Sequence, residues 1–147
     1  MAAHGIPPPT PLSLIVCERV IVDAVTGQHS LIGTMPHVQA SGFPVALPQM
    51  AVFAEFTNGR GPTALTLRIA DVNEEREPVF AASVSIPMDD PLMVGCLVMG
   101  LANLVFPSAG EYRVQVLCGT ILLTERKLML MPMNPPTQPP TPTPDSA

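Results

Sequence analysis

The side chains able to do chemistry are few and scattered along the chain. Cys17, Glu18 and Arg19 are consecutive, and a thiol beside a guanidinium is an arrangement that favours the thiolate and makes a nucleophile. In an extended strand neighbours point to opposite faces, so Cys17 and Arg19 share one face and Glu18 takes the other. The competing reading makes Cys17 a small buried hydrophobe, and this is the one expected. Cys17, Cys96 and Cys118 are the three cysteines, and none forms a C-x-x-C pair. An odd, widely spaced set argues against a disulfide framework or a zinc site. Of the three histidines, His4, His29 and His37, the last two flank a candidate strand, where zinc would need further ligands. Asp89-Asp90 and the run Glu74-Glu75-x-Glu77 lack the spaced oxygen ligands of a calcium loop and read as solvated acidic loops. "TNGRGP" (57–62) has glycines but no following helix or Lys-Ser/Thr, so it does not make a phosphate cradle. Its Arg60 remains a candidate contact for an anionic partner. No Ser-His-Asp order is present. The expectation is a non-catalytic chain without metal or cofactor.

Composition narrows the partners. The formal net charge is −5, with only seven lysines and arginines, which disfavours nucleic acid because phosphate contacts need clustered cations. Hydrophobic residues make up 47% and charged residues 13%, so the ordered part must bury a substantial core. The longest apolar run, "LMVGCLVMGLANLVF" (92–106), falls short of the ~18 residues of a membrane span. It reads as a buried strand pair or a short helix, and no membrane association is expected. The start of the chain lacks a basic region followed by a continuous apolar one, so no secretory leader is expected. With reduced thiols, this points to a cytoplasmic protein.

The 19 prolines crowd the two ends. Residues 1–11 and 132–147 are expected to be disordered, the second as a Pro/Thr-rich tail of polyproline II character. P-x-x-P spacings start at Pro132, Pro136 and Pro139, without the arginine or lysine that such ligands usually carry, so the tail reads as a spacer. The folded domain is placed at 12–131. Within it, short segments alternate in polarity between turn signals: 12–23, 28–35, 49–57, 63–71 and 79–87. "TALTLRIAD" (63–71) is the clearest, with Leu65, Leu67 and Ile69 facing in and Thr66 and Arg68 facing out. Gly27 supplies a left-handed residue for the first hairpin, and 41–48 reads as a proline-rich connection. The pattern predicts an all-β, immunoglobulin-like antiparallel β-sandwich of about 7–9 strands.

The last hairpin allows a register to be tested. A two-residue turn at Cys118-Gly119 pairs Val116 with Ile121 and Val114 with Leu123, and sets Glu111 opposite Arg126. Sliding the turn to Gly119-Thr120 opposes Arg113 to Arg126 and Val114 to Glu125, and the pair terms favour the first arrangement. At its head stands the chain's one tyrosine, in "FPSAGEY" (106–112). In immunoglobulin-like sandwiches a tyrosine at this place returns its hydroxyl to the preceding backbone. Gly110 permits the bend, Pro107 stiffens the approach, and Tyr112 buries its ring.

"CERVIVDAVTGQHSLIGTM" (17–35), "FPVALPQMAVFAEFTNGRGPTALTLRIAD" (43–71) and "NLVFPSAGEYRVQV" (103–116) together resemble a family of small bacterial domains of unknown function. Its pattern is Cys-Glu-x-Val, Asp-x-x-Thr-Gly, Ser-Leu-Ile-Gly and Phe-Pro-x-x-Gly-x-Tyr. The resemblance covers most of 14–131. It implies a small cytoplasmic β-sandwich and supplies no activity or catalytic residue. The function expected is a protein-interaction or accessory domain acting on a protein partner or on itself. Its candidate surface is the Met-rich last strand with Met129 and Met131, flanked by the loops at 56–62 (with Arg60) and 72–78; core packing is the competing reading of that strand, and the same choice stands for 92–101. A small-ligand or thiol-dependent enzyme using Cys17, and a self-assembling structural subunit, are the alternatives.

Overall fold

The computed structural model describes residues 7–73 and 76–133. Nine strands are present among them: β1 (Thr10–Val22), β2 (His29–Thr34), β3 (His37–Ala40), β4 (Val45–Thr57), β5 (Thr63–Asp71), β6 (Phe80–Ile86), β7 (Gly95–Phe106), β8 (Gly110–Cys118) and β9 (Ile121–Pro132). They form two sheets, ordered β2-β1-β4-β7 and β3-β9-β8-β5-β6. All pairings are antiparallel except β3 with β9. Glu74 and Glu75, residues 1–6 and the tail from 134 onward lie outside the described residues. β1 begins inside the segment expected to be disordered: Thr10 pairs with Thr57 and Pro11 with Phe56, and Asn58 donates a side-chain hydrogen bond to Thr10.

The core lies between the sheets and follows from strand alternation. Leu65, Leu67 and Ile69 of β5 are buried as their spacing predicts. They share a face with Val114 and Val116 of β8, which sit opposite Ile69 and Leu67. β4 contributes Met50, Val52, Ala54 and Phe56, and β7 contributes Leu97, Leu101, Leu104 and Phe106. The segment 92–106 is thus neither a strand pair nor a helix but mainly one long strand. Its inward residues change from odd to even between Leu101 and Leu104, and those of β4 change likewise between Leu47 and Met50. Between these lie Pro48, which has no N–H to give a ladder, and Asn103, whose φ is 54°. The two irregularities face each other in the register, so both strands re-aim together and pairing resumes unshifted. β4 therefore begins at Val45, within the stretch expected to be a connection.

The last hairpin corrects the expected register. The turn is Gly119-Thr120: Cys118 pairs with Ile121 and Leu117 with Leu122. Gly119 has φ +62°, which glycine accepts and Cys118 would resist. A one-residue shift follows, so Val116 opposes Thr124, Val114 opposes Arg126 and Tyr112 opposes Leu128. This bulge at Leu123 brings Leu128 and Leu130 onto the core face. Glu111 consequently faces Met129 rather than Arg126. Arg126 lies on the inner side and donates to the carbonyl of Leu14, 3.0 Å away.

Tyr112 ties the crossing from β7 to β8. Its hydroxyl donates to the carbonyl of Ser108 at 2.7 Å and accepts the Ser108 N–H at 3.4 Å. Its ring meets Phe106 edge-on, with centroids 5.0 Å apart. Gly110 has φ +141° at the bend, and exposed Pro107 leads into it. The first turn is also as expected: Gly27 (φ +73°) donates to the carbonyl of Asp23, whose carboxylate accepts from Val25 and Thr26. Those two amides hold the Asp23 carboxyl below its ordinary range. Replacing Tyr112 by Phe keeps the ring but leaves the Ser108 carbonyl without this donor. Urea unfolding of Tyr112→Phe is expected to show a loss of about 1–3 kcal/mol with an unchanged denaturant slope. An unaltered midpoint would remove the corner from the account.

Candidate functional site

Cys17 stands where β1 parts from β4. Its pairing with Ala51 is the last between those strands, and from there to Val22 β1 pairs only with β2. A straight continuation would carry Val22 and its partner His29 about 17 Å beyond Cys17. Phe53 lies in the opposite direction, yet the rings of His29 and Phe53 are 5.3 Å apart. The β1–β2 hairpin therefore bends back over the outer face of β4. That cover explains why Cys17, Ala51 and Phe53 are buried although they point away from the core of Val16, Val52 and Ala54.

This geometry does not activate Cys17. It is 0% exposed, and its Sγ lies 3.4 Å from the backbone carbonyl of Arg19. Contact with Arg19 is through the main chain, so it does not supply the activating charge. Burial pushes the Cys17 thiol up, and hydrogen bonding with the backbones of Arg19 and Ile32 offsets only part of that. Cys96 is also raised, by burial and then by the Glu55 carboxylate. All three cysteines are free.

The other candidates do not converge. His29 is on the four-stranded sheet and His37 opens β3 on the other. No group of three or more His, Cys, Asp and Glu side chains able to hold a metal occurs among the described residues. Asp90 closes a turn by accepting the amide of Leu92 at 2.9 Å. In the acidic loop, Arg76 donates to Ser108 Oγ at 3.1 Å. Exposed Arg60 lines a groove of about 330 Å³ together with Pro7 to Pro9, Gly119 and Ile121. Met129 and Met131 are half-buried at the far end of β9, beside His37 and Gln39 of β3. The Arg60 loop and the Met pair are thus at opposite ends of β9, roughly 30 Å apart along the strand, and form no single surface. The 72–78 loop does lie at the Met end, through the Val72 amide and the Glu111 carbonyl.

The two outer faces differ sharply. On the five-stranded sheet, Glu111 pairs with Arg113 at 2.6 Å, Arg113 approaches Glu125, and Lys127 approaches Glu111. Gln115 bridges Arg68 and Glu125. On the four-stranded sheet, the folded hairpin and β7 bound a groove of about 460 Å³, with Arg19 on one side and Val98, Gly100 and Ala102 on the other. β7 is one edge of that sheet among the described residues, with β2 at the other. Leu92, Met93, Val94, Val98 and Val105, on β7 and the loop before it, are exposed. Sequence reasoning left 92–101 open between core packing and a partner surface, because 92–106 was not resolved into a single strand. The available signal was that β4 is apolar at odd and even positions alike, which requires cover on both faces.

Two sheets in the order β1-β4-β7 and β9-β8-β5-β6, tied by a tyrosine corner at the head of β8, define an immunoglobulin-like β-sandwich. The chain belongs to a family of unknown function (DUF6941), matched over residues 12–131. An immunoglobulin-like protein from Pseudomonas aeruginosa, known from a crystal structure, is similar over 86% of this chain and 99% of that chain, with 17% identity and a TM-score of 0.42. No curated protein matches the chain. No helix among the described residues is long and apolar enough to cross a membrane.

Two outcomes follow for the thiols. At neutral pH a small alkylating reagent is expected to leave Cys17 unmodified in the folded protein and to label it in urea, as read by peptide mass spectrometry. Fast native labelling would restore the nucleophile reading. The raised thiols also set an alkaline limit. Stability is fully present below the ordinary thiol range, where both states hold the proton. It falls as pH rises towards the higher folded values, by up to about 1.4 kcal/mol per pH unit for each such group. Cys17→Ala is expected to be less stable at neutral pH but to lose less between neutral and alkaline pH.

Proposed function

We propose that this protein is a non-catalytic interaction domain of the bacterial cytoplasm, presenting a surface to another polypeptide. One observation carries the reading: β7 and the loop before it expose several large apolar side chains, with Leu92 at 87%, Met93 at 63% and Val98 at 42% exposure. Exposed apolar surface is what association sites use. The three free thiols support a reducing compartment. Buried Cys17, with its thiol pushed up, favours this reading over thiol catalysis. Met129 and Met131 are a second candidate contact, since methionine adapts to varied partners, though both are half-buried.

The reading is tested by quantitative capture on immobilised full-length chain from the source cell, with wild type beside Val98→Lys and Met129→Lys. The expected outcome is one polypeptide retained by wild type and by Met129→Lys and lost with Val98→Lys. Loss with Met129→Lys instead would move the surface to β9, and identical retention by all three would overturn the proposal.

A further inference from the structure

We infer that the occupant of the β7 edge is β7 of a second copy of this chain, paired antiparallel so that two four-stranded sheets become one across a two-fold axis. This rests on the reading of β7 as the interaction edge and names its partner. The backbone sets the kind of partner. β7 is 12 residues long and among the described residues has β4 on one side only, so its outward N–H and C=O groups form a template that another strand satisfies. Among the described residues, the edge strands β2, β3 and β6 have six, four and seven residues, and β9 is covered by β3 only over Met129–Pro132, which leaves Ile121–Leu128 as a second, shorter open stretch.

Charge selects the second copy. The chain carries a net charge of −5, so most face-to-face meetings of two copies bring like charges together. Gly95–Phe106 contains no Asp, Glu, Lys or Arg, and two such strands meet without that repulsion. The same neutrality leaves a charged foreign strand nothing to recognise. Shape then fixes the register. Gly100 sits in the middle of β7, and a Cβ built there would meet nothing within 4 Å. A glycine inside a strand often marks the close approach of another backbone. Placing Val98 of each copy opposite Gly100 of the other fills the open space twice, puts Met99 at the axis and sets Cys96 opposite Ala102. The paired stretch ends before Asn103, where the left-handed backbone breaks the strand's line.

The experiment is light scattering with size exclusion on the full chain over a wide concentration range. A particle of twice 15.6 kDa is expected. Val98→Lys, at an exposed position, should raise the dimer dissociation constant by about tenfold or more, with a melting temperature that matches wild type only at concentrations where both are monomers. Val25→Lys, at a 94% exposed turn position, should leave the dimer intact. A second measurement reads the register: Ala102→Cys, mildly oxidised, should give a covalent dimer through Cys96, because directly opposed side chains lie within about 5.5 Å. A monomer at every concentration, or a dimer indifferent to Val98→Lys, overturns self-pairing. A monomer that still captures a foreign polypeptide through Val98 overturns only this inference; a monomer that captures nothing overturns the interaction reading as well.

Discussion

Between Phe106 and Gly110 the backbone leaves one sheet for the other, and the hydrogen bond from Tyr112 to the Ser108 carbonyl holds that crossing in one geometry. A phenol buried without a partner for its hydroxyl would be costly, so the ring can go inside only if the turn presents a carbonyl to it. Ser108 does so from four residues upstream. Once the ring is inside, strand alternation leaves β8 no choice: Val114 and Val116 face the core, while Glu111, Arg113 and Gln115 face outward. β8 is flanked by β5 and β9, so its facing is passed to both. Ile69 and Leu67 sit opposite Val114 and Val116, and Leu128 sits opposite Tyr112. One polar contact thereby fixes which side of three strands is apolar.

The same logic separates the two outer surfaces. The outward side chains Arg68, Glu111, Arg113, Gln115, Glu125 and Lys127 of the five-stranded sheet bridge one another, and each such exposed pair adds little to stability. Their effect is to keep that face in water. The four-stranded sheet has no equivalent. Its outward residues include Cys17, Ala51 and Phe53, and they are buried because the β1–β2 hairpin doubles back across them. The hairpin covers β4 but not the far side of β7. The uncovered apolar strip is what remains after the fold has hidden as much of that face as one short hairpin can reach.

Where local pattern and global fold agree, the sequence was readable. Alternation in "TALTLRIAD" placed Leu65, Leu67 and Ile69 correctly, Gly27 marked the first turn, and Pro-x-x-Gly-x-Tyr announced the corner. The last hairpin was misread for a physical reason. Comparing two rigid slides weighed several pair energies of about 0.2–1 kcal/mol each against one turn residue. A bulge lets the turn and the distal strands choose separately. Gly119 takes the left-handed turn position, and Leu123 absorbs the offset. Leu122 and Leu123 are apolar on both sides, so nothing in their types reveals which is the extra residue. The short parallel β3 was hidden likewise: "HVQA" has too few residues for a period, and its partner Met129–Pro132 lies far along the chain. The return of the hairpin over β4 depends on a bend after Cys17 that no residue type announces.

β7 presents the sharper question of why a long edge is left without protection. Edges are usually blunted by lysine, proline, a bulge or a covering loop. β7 has neither lysine nor proline, and its irregularity at Asn103 comes late, leaving Gly95 to Ala102 in regular pairing with β4. The re-aiming at Asn103 serves the core, since it turns Leu104 and Phe106 inward and so brings Phe106 against the Tyr112 ring. The device that completes the corner therefore also ends the exposed edge. The regular stretch of β7 from Gly95 to Ala102 ends where the strand changes face at Asn103, and that change of face gives a strand paired along it a defined length.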